Sequence, residues 1–277
     1  MLVEDDRAFV AALRCVDAVE AEGCDGDRAF AELHVFDFSS KEWQSPIPIS
    51  KQLFDSAGGT FALVGVIAGN PVALRTTHSD PQIQEFWSIE TASGAVDVLP
   101  KLNHTVLGAC QTGDGSLHTL AVVANPYDWA DTAPRDPILL TLRPDAQEWT
   151  ETSMRGVLPE DVVLQPTFVC GSEQVVVARE RSYVTFDVPT SEVSVVNSLT
   201  TPGVAGPVAS HYLAVLAVTR DAGAPGNSLT RLAPNGQSTD VEVPNVETLA
   251  VAGSGLVVAT SIHDLEAGDR DWIVTQL

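Results

Sequence analysis

The sequence predicts an all-β protein, a β-propeller of four-stranded antiparallel blades. Three observations carry this: a hairpin pattern that recurs along the whole chain, a second hairpin ahead of each copy, and small residues at matching places in the first strand of each unit. The recurring step is four residues with apolar members, and another extended run begins seven residues after its last member. LHVF ends at Phe36 with Trp43 seven later, FWSI at Ile89 with Val96, LLTL at Leu142 with Trp149, YVTF at Phe186 with Val193, and LTRL at Leu232 with Thr239. A sixth copy, VTQL, ends at Leu277, so successive anchors lie 53, 53, 44, 46 and 45 residues apart.

Between the two runs stand SSKE, TASG, RPDAQ, PTSE and APNGQ, rich in the Pro, Gly, Asn and Asp that tight strand connections require. Ahead of these hairpins lie paired apolar, β-branched runs such as FALVGVIAG/NPVALRTT and TVLGACQTGDG/SLHTLAVVA, the latter turning on Gly-Asp-Gly. Each period thus holds strands a, b, c and d. FVAALRCVDAVEAE near the start also fits an amphipathic helix, but the repeat places strand b of the first unit there, followed by a loop. Gly65, Ala109, Cys110, Cys170, Ala209 and Ala252 keep strand a small where inner strands converge on a channel. Evenly spaced turns also suit a β-sandwich, and the six copies in register favour the propeller.

The units divide at about 1–50, 51–103, 104–156, 157–200, 201–245 and 246–277, within one domain. The first unit leaves room for a strand a of only about three residues, and the last stops in strand c. The chain therefore reads as a six-bladed propeller with an incomplete last blade or as a segment of a larger propeller protein, with a seventh blade upstream left open. An unpaired outer edge there would be a template for pairing.

FDFSSKEW, LRPDAQEW and FDVPTSEV resemble the second half of a kelch repeat, in which an aromatic–Asp turn precedes a strand-opening Trp. The resemblance covers about fifteen residues per copy. The paired glycine that kelch repeats carry after strand b is missing from VALRTT, LAVVAN, VVVARE, LAVTRD and VVATSI, and no strand c ends in the Trp-Asp of WD repeats. Trp43 and Trp149 read as blade-packing residues.

Charge narrows the partners. The chain has 15 basic and 37 acidic residues, a net charge of −22 with 44% hydrophobic content over 277 residues. Such a field repels phosphate backbones and anionic headgroups, which excludes nucleic acid and membrane surfaces and leaves basic or polar partners. No apolar run approaches the ~20 residues of a membrane helix, and the acidic N-terminus MLVEDDRAFV lacks the basic region of a secretory signal. The expectation is a soluble chain, cytoplasmic by default and extracytoplasmic if it is a piece of a larger protein. Four cysteines without a C-x-x-C motif are too few and too spread for a disulfide scaffold. Cys15 and Cys24, nine positions apart, leave open a bridge across a hairpin, with two unpaired thiols the favoured reading.

The connections between strands b and c are long and acidic, and in a propeller they share one face with the d–a connections. The third unit contributes Tyr127, Asp128, Trp129, Asp131 and Asp136, and the sixth Asp269, Asp271 and Trp272. The residue types suit recognition of a basic or polar protein or peptide, with the aromatics as anchors among the acids. A solvated rim is the plain alternative. CDGD and EAGDRD hold carboxylates suitable for Ca²⁺ but without EF-hand spacing, so no cofactor is expected and calcium is a weak option. No nucleophile elbow, phosphate-binding loop, dinucleotide fingerprint or zinc-protease motif occurs. A hydrolase or lyase site at the channel mouth, metal-assisted or not, would use His78, Asp80, His263 and Asp264, which the repeat places at the openings of b–c loops. The first expectation is a non-enzymatic interaction scaffold; a ligand-sensing module of a larger extracytoplasmic protein is the third.

Overall fold

A computed structural model describes residues 2–15, 29–51, 58–78, 82–122, 136–155, 158, 167–171, 173–179, 182–190, 192–196, 204–209, 212–219, 226–232, 238–241, 246–252, 255–264 and 269–276. Side chains are described within 2–12, 30–51, 58–78, 82–122, 136–155 and much of 158–192. Among the described residues every regular element is a strand. The strands form six antiparallel sheets, each a run of sequence neighbours.

The first sheet holds β1 (Leu2–Glu4), β2 (Arg7–Cys15), β3 (Ala29–Asp37), β4 (Glu42–Trp43) and β5 (Ile47–Pro48), the last two both pairing with β3. The second holds β6 (Gly59–Ile67), β7 (Asn70–Thr77), β8 (Gln84–Ile89) and β9 (Val96–Val98), and the third β10 (Thr105–Gln111), β11 (Leu117–Val122), β12 (Pro137–Leu142) and β13 (Thr150–Ser153). In the fourth are β14 (Thr167–Cys170), β15 (Gln174–Arg179), β16 (Ser182–Asp187) and β17 (Val193–Val196), and in the fifth β18 (Val204–Ala209), β19 (Tyr212–Thr219), β20 (Gly226–Leu232) and β21 (Ser238–Val241). The sixth has three strands, β22 (Val246–Ala252), β23 (Gly255–Asp264) and β24 (Asp269–Gln276).

The first strands of successive sheets touch in a closed ring: β1 meets β6, then β10, β14, β18 and β22 follow, and β22 returns to β1. Up-and-down sheets joined radially through their first strands define a β-propeller, as the repeat predicts. Residues 9–15, the described part of the stretch that also fits a helix in sequence, belong to β2, which pairs with β3 along its whole length, Phe9 opposite Val35 and Cys15 opposite Ala29. Phe9, Leu33 and Val35 are thereby buried.

The predicted hairpin anchors fall on the ladder. Phe36 pairs with Trp43, Ile89 with Val96 and Phe186 with Val193, each seven residues apart. In the fifth sheet Leu232 pairs with Ser238, six residues later and one short of the spacing of seven.

The core lies between sheets. Phe9, Leu33, Val35, Trp87 and Ile89 pack the first against the second; Val72, Phe86, Val106, Leu117 and Leu142 pack the second against the third; Leu120, Leu139, Phe168 and Val177 pack the third against the fourth. This changes the reason for small residues in strand a. A Cβ on Gly65 would stand 2.5 Å from Leu117 Cδ2, and one on Gly108 would stand 2.7 Å from Phe168 Cβ. Bulk at these positions collides with the neighbouring sheet rather than across a channel. Both glycines also adjoin register shifts, Leu63/Gly65 and Val106/Gly108, which increase strand twist at the closest approach.

The cysteines add a link that the sequence reading did not contain. Cys110 at the end of β10 and Cys170 at the end of β14 form a disulfide with a Cα–Cα distance of 5.5 Å, covalently joining the inner strands of adjacent sheets. Cys24 lies outside the described residues. Trp43 also departs from expectation: it stacks edge-on against Phe36 of its own sheet at 5.2 Å and is 38% exposed. Trp149 does pack between sheets, 5.1 Å from the Phe86 ring.

Candidate interaction face

Antiparallel order places the b–c and d–a connections at one end of the sheets and the a–b and c–d turns at the other. The two ends differ in construction. At the turn end, short side chains bind the backbone: Asp37 Oδ1 accepts from the Ser39 and Ser40 amides at 2.8 and 2.9 Å and from Ser39 Oγ at 2.6 Å. Asp187 accepts in the same way from the Thr190 hydroxyl and amide. The Ser39 hydroxyl above all, and the Thr190 hydroxyl in the second case, hold these carboxyls below their ordinary range. Asp37 and Asp187 are therefore backbone caps of their c–d turns.

Inside the same end of the third sheet is a polar network that sequence reasoning passed over. His118 on β11 is 1% exposed, with Nε2 2.9 Å from Thr112 Oγ1 and Nδ1 3.0 Å from Thr141 Oγ1. Thr112 donates its one hydroxyl proton to Asp114 Oδ1 at 2.7 Å, so it accepts from His118 Nε2–H, and Thr141 donates to Nδ1. Burial pushes the imidazole down to about 4, against the opposing pull of Asp114. Burial alone would raise Asp114, but bonds from Thr112 and from the Ser116 amide and hydroxyl outweigh it, and the carboxyl sits below its usual range. The ring is a neutral packing element with both nitrogens engaged.

At the other end, a groove of about 680 Å³ opens between the second and third sheets, lined by residues 82–86 and 98–105. Its walls are the start of β8, the end of β9 and the d–a connection leading into β10. Phe86, Leu99 and Leu102 give it apolar surface, supported from behind by Val106 and Trp149. Trp149 Nε1–H donates to Pro100 O at 2.9 Å, which fixes the connection over the third sheet. The Gln84 side chain spans the two sheets, donating to Val106 O at 2.9 Å and accepting from Val106 N–H at 2.7 Å.

Polar groups on the rim are mostly matched. Glu85 Oε2 takes Trp87 Nε1–H at 2.9 Å and Arg75 Nη1 at 3.2 Å, with Lys51 Nζ at 3.9 Å. Lys51 and Arg75 also lie over the Trp87 ring, 4.6 and 5.1 Å from its centroid. His104 Nε2 is 3.6 Å from Glu151. Lys101 is exposed and makes no ion pair among the described residues. Of three large hydrophobic side chains exposed among the described residues, Ile83 (44%) and Val98 (50%) both line this groove.

The sequence-predicted residues distribute as follows. Asp80, Tyr127, Asp128, Trp129 and Asp131 lie outside the described residues. Asp136, just before β12, pairs with Arg155 at 3.4 Å. Asp269, Asp271 and Trp272 belong to β24 rather than to a loop, with Asp271 opposite Ile262 and Trp272 opposite Ser261. His263 and Asp264 likewise sit in β23, opposite Arg270 and Asp269, because the hairpin extends to the 265–268 connection. His78 is exposed after β7, its amide bonded to Gly58 O. It follows β7 of the second sheet, and His263 lies in the sixth; these two sheets flank the first from opposite sides. Among the described residues no three His, Cys, Asp or Glu side chains stand together to hold a metal.

The sheet order and the ring of first strands define a β-propeller protein, with a groove between its second and third sheets. No family model matches the chain, and no curated protein sequence matches it. Among solved structures, TolB from Acinetobacter baumannii superposes with a TM-score of 0.56 at 11% identity over 98% of this chain, which spans 61% of that protein's length. Regucalcin from Agrobacterium tumefaciens, described as a calcium-binding protein, superposes with a TM-score of 0.52 at 12% identity, covering 90% of this chain and 85% of the other. At such identity the likeness is one of fold.

Proposed function

We propose that the protein is a non-enzymatic scaffold that docks a protein or peptide partner on the face formed by its b–c and d–a connections. The observation that carries this reading is the groove at residues 82–86 and 98–105, which opens at the end of the sheets where β2 ends and β3 begins and where β11 ends and β12 begins. An apolar recess bordered by charge is the usual anatomy of a protein-binding surface, and the net charge of −22 favours a basic or polar partner. Titration with a labelled lysine-rich peptide tests the face: binding should weaken steeply between 50 and 300 mM salt and fall on Trp129→Ala and Trp272→Ala. Affinity insensitive to salt and to both substitutions would overturn the role of the acidic connections and their anchors.

A further inference from the structure

We infer that the groove takes an extended peptide segment, added as a strand to the open edge of β9, apolar in its alternating residues and carrying a Glu or Asp side chain for Lys101. This rests on the scaffold reading and adds its binding mode, the carboxylate being a single local complement to Lys101 within a partner that is basic or polar overall. Leu99 N–H donates to Phe86 O and Glu90 N–H to Ala95 O, and Ser88 faces Asp97, so the backbone groups of residues 95, 97 and 99 point inward to β8. By the parity of an antiparallel ladder, the N–H and C=O of Val96 and Val98 point outward. β9 is the last strand of its sheet, and among the described residues nothing pairs with that edge.

Outer edges occur on every blade; two features mark this one among the described side chains. Val98 on β9 and the nearby Ile83 are exposed apolar side chains beside the groove, whereas the outer strand of the third sheet, Thr150–Ser153, is polar and exposed throughout. Strand addition supplies backbone hydrogen bonds while alternate side chains enter adjoining recesses, and Phe86, Leu99 and Leu102 line such a recess. Charge selects among apolar strands. Glu85 is already matched by Arg75 and Lys51, and His104 by Glu151, which leaves Lys101 as the cation in the lining without an ion pair among the described residues. A carboxylate on the incoming strand is its complement.

The test uses a labelled, end-blocked octapeptide of alternating threonine and valine with one central glutamate, read by fluorescence anisotropy on the full chain. Saturable binding is expected, at least tenfold weaker when two alternate peptide amides are N-methylated, when glutamate is replaced by lysine, or in Val98→Asp and Lys101→Glu proteins with unchanged circular dichroism. Equal binding by the N-methylated peptide and by Val98→Asp overturns strand addition while leaving the scaffold intact. Equal binding by the lysine version overturns the role of Lys101. If the octapeptide fails to bind while the lysine-rich peptide still does, this inference falls alone; if neither binds, the scaffold falls with it.

Discussion

Acidification should destabilise the fold through one ring. His118 titrates near 6.5 when unfolded and at about 4 in the folded protein, where burial disfavours the imidazolium. Between these values the unfolded chain binds more protons than the native one, so the stability associated with the neutral ring is complete above pH 6.5 and is lost as pH falls toward 4. The depression corresponds to about 3 kcal/mol at pH 4. Other groups titrate over the same range, and relief of the repulsion among acidic residues acts in the opposite sense, so the informative quantity is a difference. Urea unfolding followed by tryptophan fluorescence at pH 7 and pH 4 should show wild type losing about 3 kcal/mol more than His118→Gln. Equal losses in the two proteins would refute the claim that His118 is neutral in the fold.

Other consequences of the inter-sheet packing are testable in the same way. Reducing the Cys110–Cys170 bridge, or replacing both residues by serine, reopens a loop of sequence separation 60 and should cost about 4 kcal/mol in the chain-entropy treatment; unchanged urea midpoints would deny the bridge. Gly65→Ala forces Leu117 and Gln111 away from the new methyl group and should destabilise by about 1–3 kcal/mol, with no loss arguing against the close approach. Trp149→Phe keeps the ring against Phe86 but removes the bond to Pro100 O, for a cost of about 1 kcal/mol and weaker octapeptide binding. Millimolar Ca²⁺ should leave the melting temperature unchanged, and a rise of several degrees would reopen a cation site.

Local chemistry made the hairpins legible, because the side-chain alternation and turn residues that set an antiparallel register lie within one short stretch. Phe36–Trp43, Ile89–Val96 and Phe186–Val193 could be paired from spacing alone. The choice of strand over helix for residues 9–15 came from the repeat and not from the local pattern, which suits both. What escaped depends on how separate sheets meet. The Cys110–Cys170 pair has no sequence signature, since it joins strands whose proximity follows only from ring closure. The small residue at position 65 was visible, but its cause, Leu117 of the next sheet, was not. His118 had one signal, a histidine inside the apolar run SLHTLAVVA just after a Gly-Asp-Gly turn, but its partners Thr112 and Thr141 sit on both sides of it in sequence. The groove comprises a b–c end and a d–a connection from neighbouring units, and nothing in the local pattern AVDVLP distinguishes Val98 from any other strand residue. Conversely, HDLEAGDRD looked like a loop because of its acids, yet Asp264 and Asp269 pair across a hairpin end.

Hydrogen–deuterium exchange of the chain with and without saturating octapeptide tests the interaction face most directly. Slowed exchange at Val96 and Val98 and across 82–86 and 99–105, with the turns at 39–41 and 113–116 unchanged, is the result predicted. Protection confined to those turns, with the groove unaffected, would contradict the account.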